Sequence, residues 1–144
     1  MADDTERSVE IERIAVHKFR ATNVRGGTLT FGDGGDADFS PVDLLLTAIS
    51  GCTALDVEYI TGKRAEPSRF HARARADKVR DDDGNHLVNI EVRLEVAFPD
   101  GAAGDAAREV LPSALQRSHD RLCTVSRTVE LGTPVEMQLN PPAL

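Results

Sequence analysis

The sequence predicts an α+β fold in which an antiparallel sheet packs on a long, buried central helix. Three observations lead to this class. A strongly capped apolar segment begins at Ser40, two long alternating segments follow it as a hairpin, and further strand patterns flank this centre. The predicted element order is β-β-α-β-β-α-β-β, which is typical of α+β domains rather than of parallel α/β folds.

The length and composition indicate one domain over residues 1–144. A net charge of −7 argues against nucleic acid or an anionic membrane as a partner. The first residues, MADDTERSVEIE, are acidic and polar, unlike an export signal. We therefore expect a cytoplasmic location.

The N-terminal segment predicts two strands. Residues 9–21 alternate imperfectly between apolar and polar, which predicts one long strand with a bulge near Arg13. Gly26 and Gly27 mark a turn, and residues 28–31 form a short second strand.

The central helix has the clearest local signals. Ser40 is a typical N-cap, Pro41 suits the first helical position, and Asp43 completes a capping box. The segment that follows is apolar around nearly its whole circumference until Asp56, which predicts burial on all sides. Only twelve residues separate Asp43 from Asp56, too few for a membrane span. The helix should end near Gly62.

A hairpin follows, formed by residues 68–80 and 86–98, with the apolar side chains at even positions of both strands. Matching these faces excludes a two-residue turn and favours a three-residue loop with Gly84 in the left-handed conformation and a bulge after it. The same register predicts two charged cross-strand pairs on the wet face: Arg75 with Glu91, and His71 with Glu95.

The C-terminal part predicts one helix and two strands. Residues 104–122 show a helical stripe that Pro112 must kink or split. Cys123 follows, and residues 126–131 and 134–139 have strand patterns.

Cys52 and Cys123 are the two cysteines of the chain. A structural disulfide is not expected in the cytoplasm, which leaves inert burial, a metal site or a redox couple. A zinc site formed by His119, Cys123 and Cys52 is an alternative with little support from ligand spacing. The simplest interpretation of His119 is a solvated side chain near a helix end, with no functional role.

The stretches FSPVDLLLTAISGCTALDV and RLCTVSRTVELGTPVEMQL resemble the two cysteine segments of the OsmC/Ohr family (osmotically inducible and organic hydroperoxide resistance proteins). The likeness covers nearly the whole chain. It implies an OsmC-like fold, an intertwined homodimer with sites at the subunit interface, and thiol-dependent reduction of organic hydroperoxides or hydrogen peroxide. It implies no resident cofactor or metal, but an external dithiol as reductant.

The family pattern also implies site residues. In the hydroperoxide-resistance branch a Glu follows the helix-opening Pro directly, whereas this chain has Val42 there and the acid one residue later as Asp43. The chain therefore looks closer to the OsmC-like branch. The family's peroxide-site arginine lies in the N-terminal strands, and Arg25 is the candidate, with Arg20 as the alternative.

The chemistry of this pattern starts from a thiolate at Cys52, since the thiol is a poor nucleophile. Apolar surroundings alone would raise the pKa of Cys52, so a cation such as Arg25 is required to oppose burial and to stabilise the leaving oxygen. A sulfenic acid at Cys52 would then condense with Cys123. Asp43 lies nine residues before Cys52, on the opposite side of the helix, so capping is its expected role and orienting the arginine the alternative.

Two other functions compete with the peroxidase. One is a non-enzymatic dimeric protein that binds a small apolar ligand at the subunit interface. The other is a metal-binding module.

Overall fold

The structure is a computed structural model that describes residues 5–140. It confirms a mixture of helices and antiparallel sheets. In chain order the elements are β1 (Val9–Ala15), β2 (Lys18–Asn23), β3 (Thr28–Gly32), α1 (Pro41–Thr61), β4 (Arg69–Asp81), β5 (Gly84–Ala97), α2 (Ala102–Arg117), a π-helical turn (Ser118–Leu122) and α3 (Thr124–Leu131). The chain forms two compact units, one that ends at Thr47 and one that begins at Ala48. A single domain over residues 1–144 stays a prediction.

The N-terminal unit contains a three-stranded antiparallel sheet in the order β1-β2-β3. The predicted single strand over residues 9–21 is wrong, because the chain reverses between β1 and β2, where His17 adopts a left-handed conformation with φ of 55°. His is among the residues that occupy this region more readily than most. The register shift between Arg13 and Ala15 confirms the predicted bulge, and β3 confirms the second predicted strand.

The N-terminus of α1 forms the predicted capping box. The Ser40 backbone N–H and hydroxyl both donate to the Asp43 carboxylate, at 2.9 and 3.0 Å, and the Asp43 N–H donates to Ser40 Oγ at 3.2 Å. These bonds satisfy backbone donors that the first turn of a helix leaves unpaired. The helix ends at Thr61, next to the predicted Gly62.

The prediction that α1 is buried on all sides is wrong for the single chain. One face is buried, but Leu55 and Tyr59 are 54% and 75% exposed. The apolar composition of α1 indicates that its surface is suited to burial, but the other elements of a single chain bury only part of that surface. By length and composition alone, α1 is also long and apolar enough to cross a membrane. This is weak evidence, because the core helix of a soluble protein meets the same criteria.

In the half of the β4–β5 hairpin that lies away from the turn, the predicted register is confirmed. There Arg75 pairs with Glu91 and His71 pairs with Glu95. The predicted three-residue loop is wrong: Asp81 pairs with Gly84 across a two-residue turn. The faces still match because β5 has a bulge at Asn89 and Ile90, opposite Ala76, and Asn89 has a φ of 55°. A bulge brings the two apolar faces back onto the same side of the sheet at whatever position it occurs. The even numbering of the apolar residues therefore does not show where the bulge lies.

The C-terminal segment differs most from the prediction. The helix α2 continues through Pro112 without being split, and the irregularity comes later, as the π-helical turn. The predicted strand over residues 126–131 is wrong, because these residues belong to α3, which ends at Gly132 in the left-handed conformation. Residues 134–139, all within the described part of the chain, adopt no helix or strand. Strand propensity depends on a neighbouring strand that buries the side chains, and this segment has none in the described chain.

The core of the C-terminal unit forms where α1 meets α2. Val57, Ile60 and Ala114 are buried together. Side chains from the hairpin and from α2 pack around them, namely Phe70, Leu94, Val110 and Leu111. This packing holds the middle of α1, which carries Cys52, against the C-terminal helices.

Candidate functional site

The two cysteines lie together in the C-terminal unit. Cys52 lies in the middle of α1, and Cys123 is the N-cap residue of α3. Their Sγ atoms and a carboxylate oxygen of Asp56 all lie within 4.8 Å of one another. The fold therefore brings the two predicted redox residues into one site and adds an acid that was not predicted.

The π-helical turn positions Cys123 through Ser118. The Cys123 backbone N–H donates to the Ser118 carbonyl at 2.8 Å, and the fully buried Ser118 hydroxyl donates to Asp56 Oδ2 at 2.8 Å. One serine thus connects the residue before α3 to the helix that carries Cys52. Short π-helical segments often occur at functional sites.

Hydrogen-bonding groups surround the sulfur of Cys123. The Ser126 backbone N–H and the Thr53 hydroxyl donate to Cys123 Sγ at 3.4 and 3.7 Å, and the Cys123 thiol donates to the Ser126 hydroxyl at 3.2 Å. Burial of Cys123 opposes its ionisation, but hydrogen bonds from Ser126, Cys52 and Thr53 outweigh it and lower the pKa of Cys123 below its usual value.

The pKa of Cys52 shifts in the opposite direction. Burial is the largest cause of the rise, and it is opposed by the Val125 backbone N–H. The hydrogen bond to Cys123 and the negative charges of Cys123 and Asp56 raise the pKa further. The raised pKa agrees with the effect expected from the apolar surroundings of Cys52. Contact between the two thiols therefore contributes to opposite shifts, downward for the pKa of Cys123 and upward for the pKa of Cys52.

A groove of about 480 Å³ lies beside this pair. Apolar side chains from several elements form much of its wall, and its lining consists of Ile49, Thr53, Ile90, Val92, Leu115, Gln116, His119, Ser126, Val129 and Glu130. Thr53 and Ser126 belong to this wall and also bind Cys123 Sγ. The groove therefore ends at the hydroxyl groups that contact the thiol pair.

The other predicted site residues lie elsewhere in the fold. The Asp43 carboxylate is hydrogen bonded within the capping box, which agrees with its expected capping role and keeps its pKa below the usual value through the Ser40 bonds. Arg25 lies in the turn between β2 and β3, and Arg20 lies on β2 opposite Glu12. Both arginines belong to the N-terminal unit, so their roles stay predictions.

His119 makes two contacts with acids. Its Nδ1 lies 2.9 Å from Asp120, and its Nε2 lies 3.2 Å from Glu130. Hydrogen bonds with Asp120 and then Glu130 raise the pKa of His119. The cluster of metal-ligating atoms around the two thiols contains Asp56 and not His119.

Sequence reasoning missed the polar residues that support the thiols. Asp56 lies four residues after Cys52, a spacing that places both on one helix face, so this signal was available. Ser126 lies three residues after Cys123, the position that a capping residue contacts, but the predicted strand concealed it. Ser118 had no local signal, since its partner Asp56 lies far away in the sequence.

Comparison with known proteins identifies the family. The sequence model of the family described as OsmC-like protein matches residues 32–138, which contain both cysteines. None of the curated proteins is similar enough to the chain to count as a match.

Solved structures share the fold. A hypothetical protein from Aquifex aeolicus has a TM-score of 0.70 at 21% identity, with 89% of each chain covered. An OsmC-like protein of unknown function from Vibrio cholerae has a TM-score of 0.72 at 15% identity, with 88% of this chain and 94% of that chain covered. The organic hydroperoxide resistance protein of Bacillus subtilis has a TM-score of 0.51 at 16% identity, with 85% and 90% covered. At these identities the likeness establishes the OsmC-like fold.

Proposed function

This chain belongs to the OsmC-like protein family, and on that premise we propose that it is a thiol-dependent peroxidase for organic hydroperoxides or hydrogen peroxide. The hydroperoxide-resistance protein among its structural neighbours supports a peroxide-related role. One observation carries the specific proposal: the Sγ atoms of Cys52 and Cys123 lie within 4.8 Å of each other. Two thiols at this separation can form a disulfide after a small movement.

Exposure assigns the attacking sulfur. Cys52 is partly exposed, whereas Cys123 is fully buried, so an incoming peroxide meets Cys52 first. The proton on Cys52 passes to the Cys123 thiolate, with which it shares a hydrogen bond. The Cys52 thiolate then attacks the peroxide, the O–O bond breaks, and Cys52 becomes a sulfenic acid. The departing alkoxide takes the proton from Cys123 and leaves as an alcohol.

The second step joins the two sulfurs. The Cys123 thiolate attacks the sulfenic sulfur of Cys52, hydroxide leaves, and a disulfide forms. The S–S bond is about 2.05 Å long, so the sulfurs approach each other by less than about 3 Å from their present separation. An external dithiol then reduces the disulfide, which restores both thiols and completes the cycle.

The proposal includes a homodimer and an arginine. The exposed apolar side chains of Leu55 and Tyr59 on α1 support a partner subunit that covers this face. In that dimer Arg25, or Arg20 as the alternative, supplies the cation that stabilises the Cys52 thiolate and the leaving oxygen. A cytoplasmic location belongs to the same proposal, because the cycle requires a dithiol reductant.

The test measures consumption of tert-butyl hydroperoxide and of hydrogen peroxide with dithiothreitol as reductant. We expect turnover by the wild type and only the uncatalysed rate with Cys52→Ser. Cys123→Ser should consume about one equivalent rapidly and accumulate a sulfenic acid that dimedone traps at Cys52. Thermal unfolding of each variant provides the folding control. A wild type that consumes both peroxides at the uncatalysed rate would contradict the proposal.

The apolar groove favours a second candidate, a non-enzymatic protein that binds a small apolar ligand. Its apolar lining and its volume of about 480 Å³ suit such a ligand. In that case the wild type shows no peroxide turnover, while a fluorescent apolar probe such as anilinonaphthalene sulfonate binds, and Val92→Asp on the groove wall abolishes the probe signal.

A further inference from the structure

The thiol pair and Asp56 combine three metal-ligating groups at one point of the fold. Cys52 and Asp56 share a face of α1, and Cys123 reaches the same point from the start of α3. We propose that in the reduced protein these three residues bind one Zn²⁺ ion. Binding of the ion does not require the peroxidase activity, but its regulatory consequence rests on the proposed function.

The geometry suits a tetrahedral ion. Zn–S bonds of about 2.3 Å and Zn–O bonds of about 2.0 Å place neighbouring ligand atoms about 3.5–3.8 Å apart. The three atoms here already lie within 4.8 Å of one another. Side-chain rotations that bring them at most about 1.3 Å closer would complete three corners of the tetrahedron. Water can take the fourth corner, as in zinc sites with three protein ligands.

Hydrogen bonds prepare the ligands for a metal. The Ser118 hydroxyl donates to Asp56 Oδ2 at 2.8 Å, and a carboxylate can keep such a bond while its other oxygen coordinates an ion. Backbone N–H groups point at both sulfurs, from Val125 to Cys52 and from Ser126 to Cys123. The outer groups that orient ligands in metal sites are therefore present around all three residues.

The donor set selects the class of ion. Two sulfurs and one carboxylate oxygen favour Zn²⁺ over Mg²⁺ and Ca²⁺, which prefer oxygen ligands only. Both thiols coordinate as thiolates and release their protons to solvent. Two thiolates and one carboxylate carry three negative charges, one more than the two positive charges of the ion. The site is therefore well matched to a divalent cation.

Occupation of this site would regulate the peroxidase. A zinc ion that holds both sulfur atoms occupies the lone pairs with which Cys52 attacks a peroxide and Cys123 attacks a sulfenic acid. Disulfide formation is then blocked until the ion leaves. Zinc would keep the site reduced and inactive, and its removal by a chelator would restore turnover.

The experiment titrates zinc into the full-length, reduced, chelator-treated protein without oxygen, with a chromophoric zinc indicator as competitor. We expect one equivalent to bind and Mg²⁺ not to compete. Asp56→Asn should weaken zinc affinity at least about tenfold, which is the usual loss when a residue that supports a metal site is replaced. This variant keeps an oxygen that accepts the Ser118 bond. Glu58→Gln, an exposed neutralisation on the same helix, is the matched control and should bind as the wild type does.

The proposal is overturned if less than about 0.2 equivalent of zinc binds at micromolar free zinc, or if wild type and Asp56→Asn bind zinc with equal affinity. Zinc binding by wild type that survives diamide oxidation of the two thiols would also overturn it. Circular dichroism of each variant reports folding. Peroxide turnover is measured separately in excess chelator, so a protein that turns over peroxide but binds no zinc refutes only this inference. A protein that binds zinc but never consumes peroxide refutes only the proposed function.

Discussion

At the scale of single residues, two identical side chains differ because their hydrogen-bond donors differ. Cys123 is fully buried, yet its pKa is lowered, because its hydrogen bonds with Ser126, Cys52 and Thr53 outweigh the effect of burial. The pKa of Cys52 is raised, first by burial and then by its hydrogen bond to Cys123 and nearby negative charge, which one backbone donor opposes only in part. More hydrogen-bonding groups contact the Cys123 sulfur than the Cys52 sulfur. This difference accounts for the opposite directions of the two pKa shifts.

Replacing Ser126 with alanine tests this account. The substitution removes the hydroxyl, which can donate to the sulfur once Cys123 is a thiolate, and keeps the backbone N–H, so the pKa of Cys123 should rise. Thiolate absorbance near 240 nm, followed against pH, should show its first transition at higher pH than in the wild type. Ser113→Ala is the control, because the Ser113 hydroxyl bonds only the carbonyl of Val110 among the described contacts. An unchanged first transition in Ser126→Ala would refute the role of the hydroxyl.

At the scale of elements, the arrangement of the site depends on how α2 ends. The helix changes to a π-helical turn at Ser118, and α3 begins immediately after Cys123. A π-helical turn adds one residue to the usual spacing and so rotates the following side chains relative to a regular helix. The Ser118–Asp56 bond joins this turn to α1. The position of Cys123 is therefore defined by a contact between elements rather than by a continuous helix.

A double-mutant cycle between Ser118 and Asp56 measures that contact. Ser118→Ala and Asp56→Ala should each lower the free energy of unfolding, and the coupling between them should be about 1–3 kcal/mol, since the bond involves a charged acceptor and a buried donor. Urea unfolding gives the four free energies, with unchanged m-values as the condition for comparing them. A coupling near zero would mean that this hydrogen bond does not hold the turn on α1.

At the scale of the whole molecule, the single chain leaves apolar surface exposed. Leu55 and Tyr59 lie four residues apart on α1, so they share one helix face, and both are more than half exposed. Val135, Met137 and Leu139 are 79%, 88% and 98% exposed in the segment after α3. Apolar surface on this scale is typical of a protein that associates. It supports the homodimer of the proposed function.

Placing a charge on the exposed face of α1 tests the dimer. Leu55→Asp should convert the wild-type dimer to a monomer, because an unpaired carboxylate in an apolar interface carries a large desolvation cost. Sedimentation velocity measures the mass of each species. Glu66→Lys, a charge change in the exposed loop between α1 and β4, should leave the wild-type mass unchanged. A monomeric wild type would contradict the dimer directly.

The sequence by itself determined the features that depend on neighbouring residues or on alternation along a strand. The capping box of Ser40 and Asp43, the end of α1 near Gly62 and the pairing of Arg75 with Glu91 all follow from such short-range rules. The family resemblance added the fold and the expectation that both cysteines belong to the functional site. Asp56 was within reach of the same reasoning, since it lies one helical turn after Cys52.

Only the tertiary structure decided the rest. Residues 126–131 have a strand pattern, but they form a helix that Cys123 caps, and no neighbouring strand in the described chain is present to pair with them. The Ser118–Asp56 bond and the separation of the two sulfurs both involve residues distant in sequence. Contacts of this kind depend on how packed elements meet, and no local pattern encodes them. The opposite pKa shifts of the two cysteines therefore became visible only once their neighbours were in place.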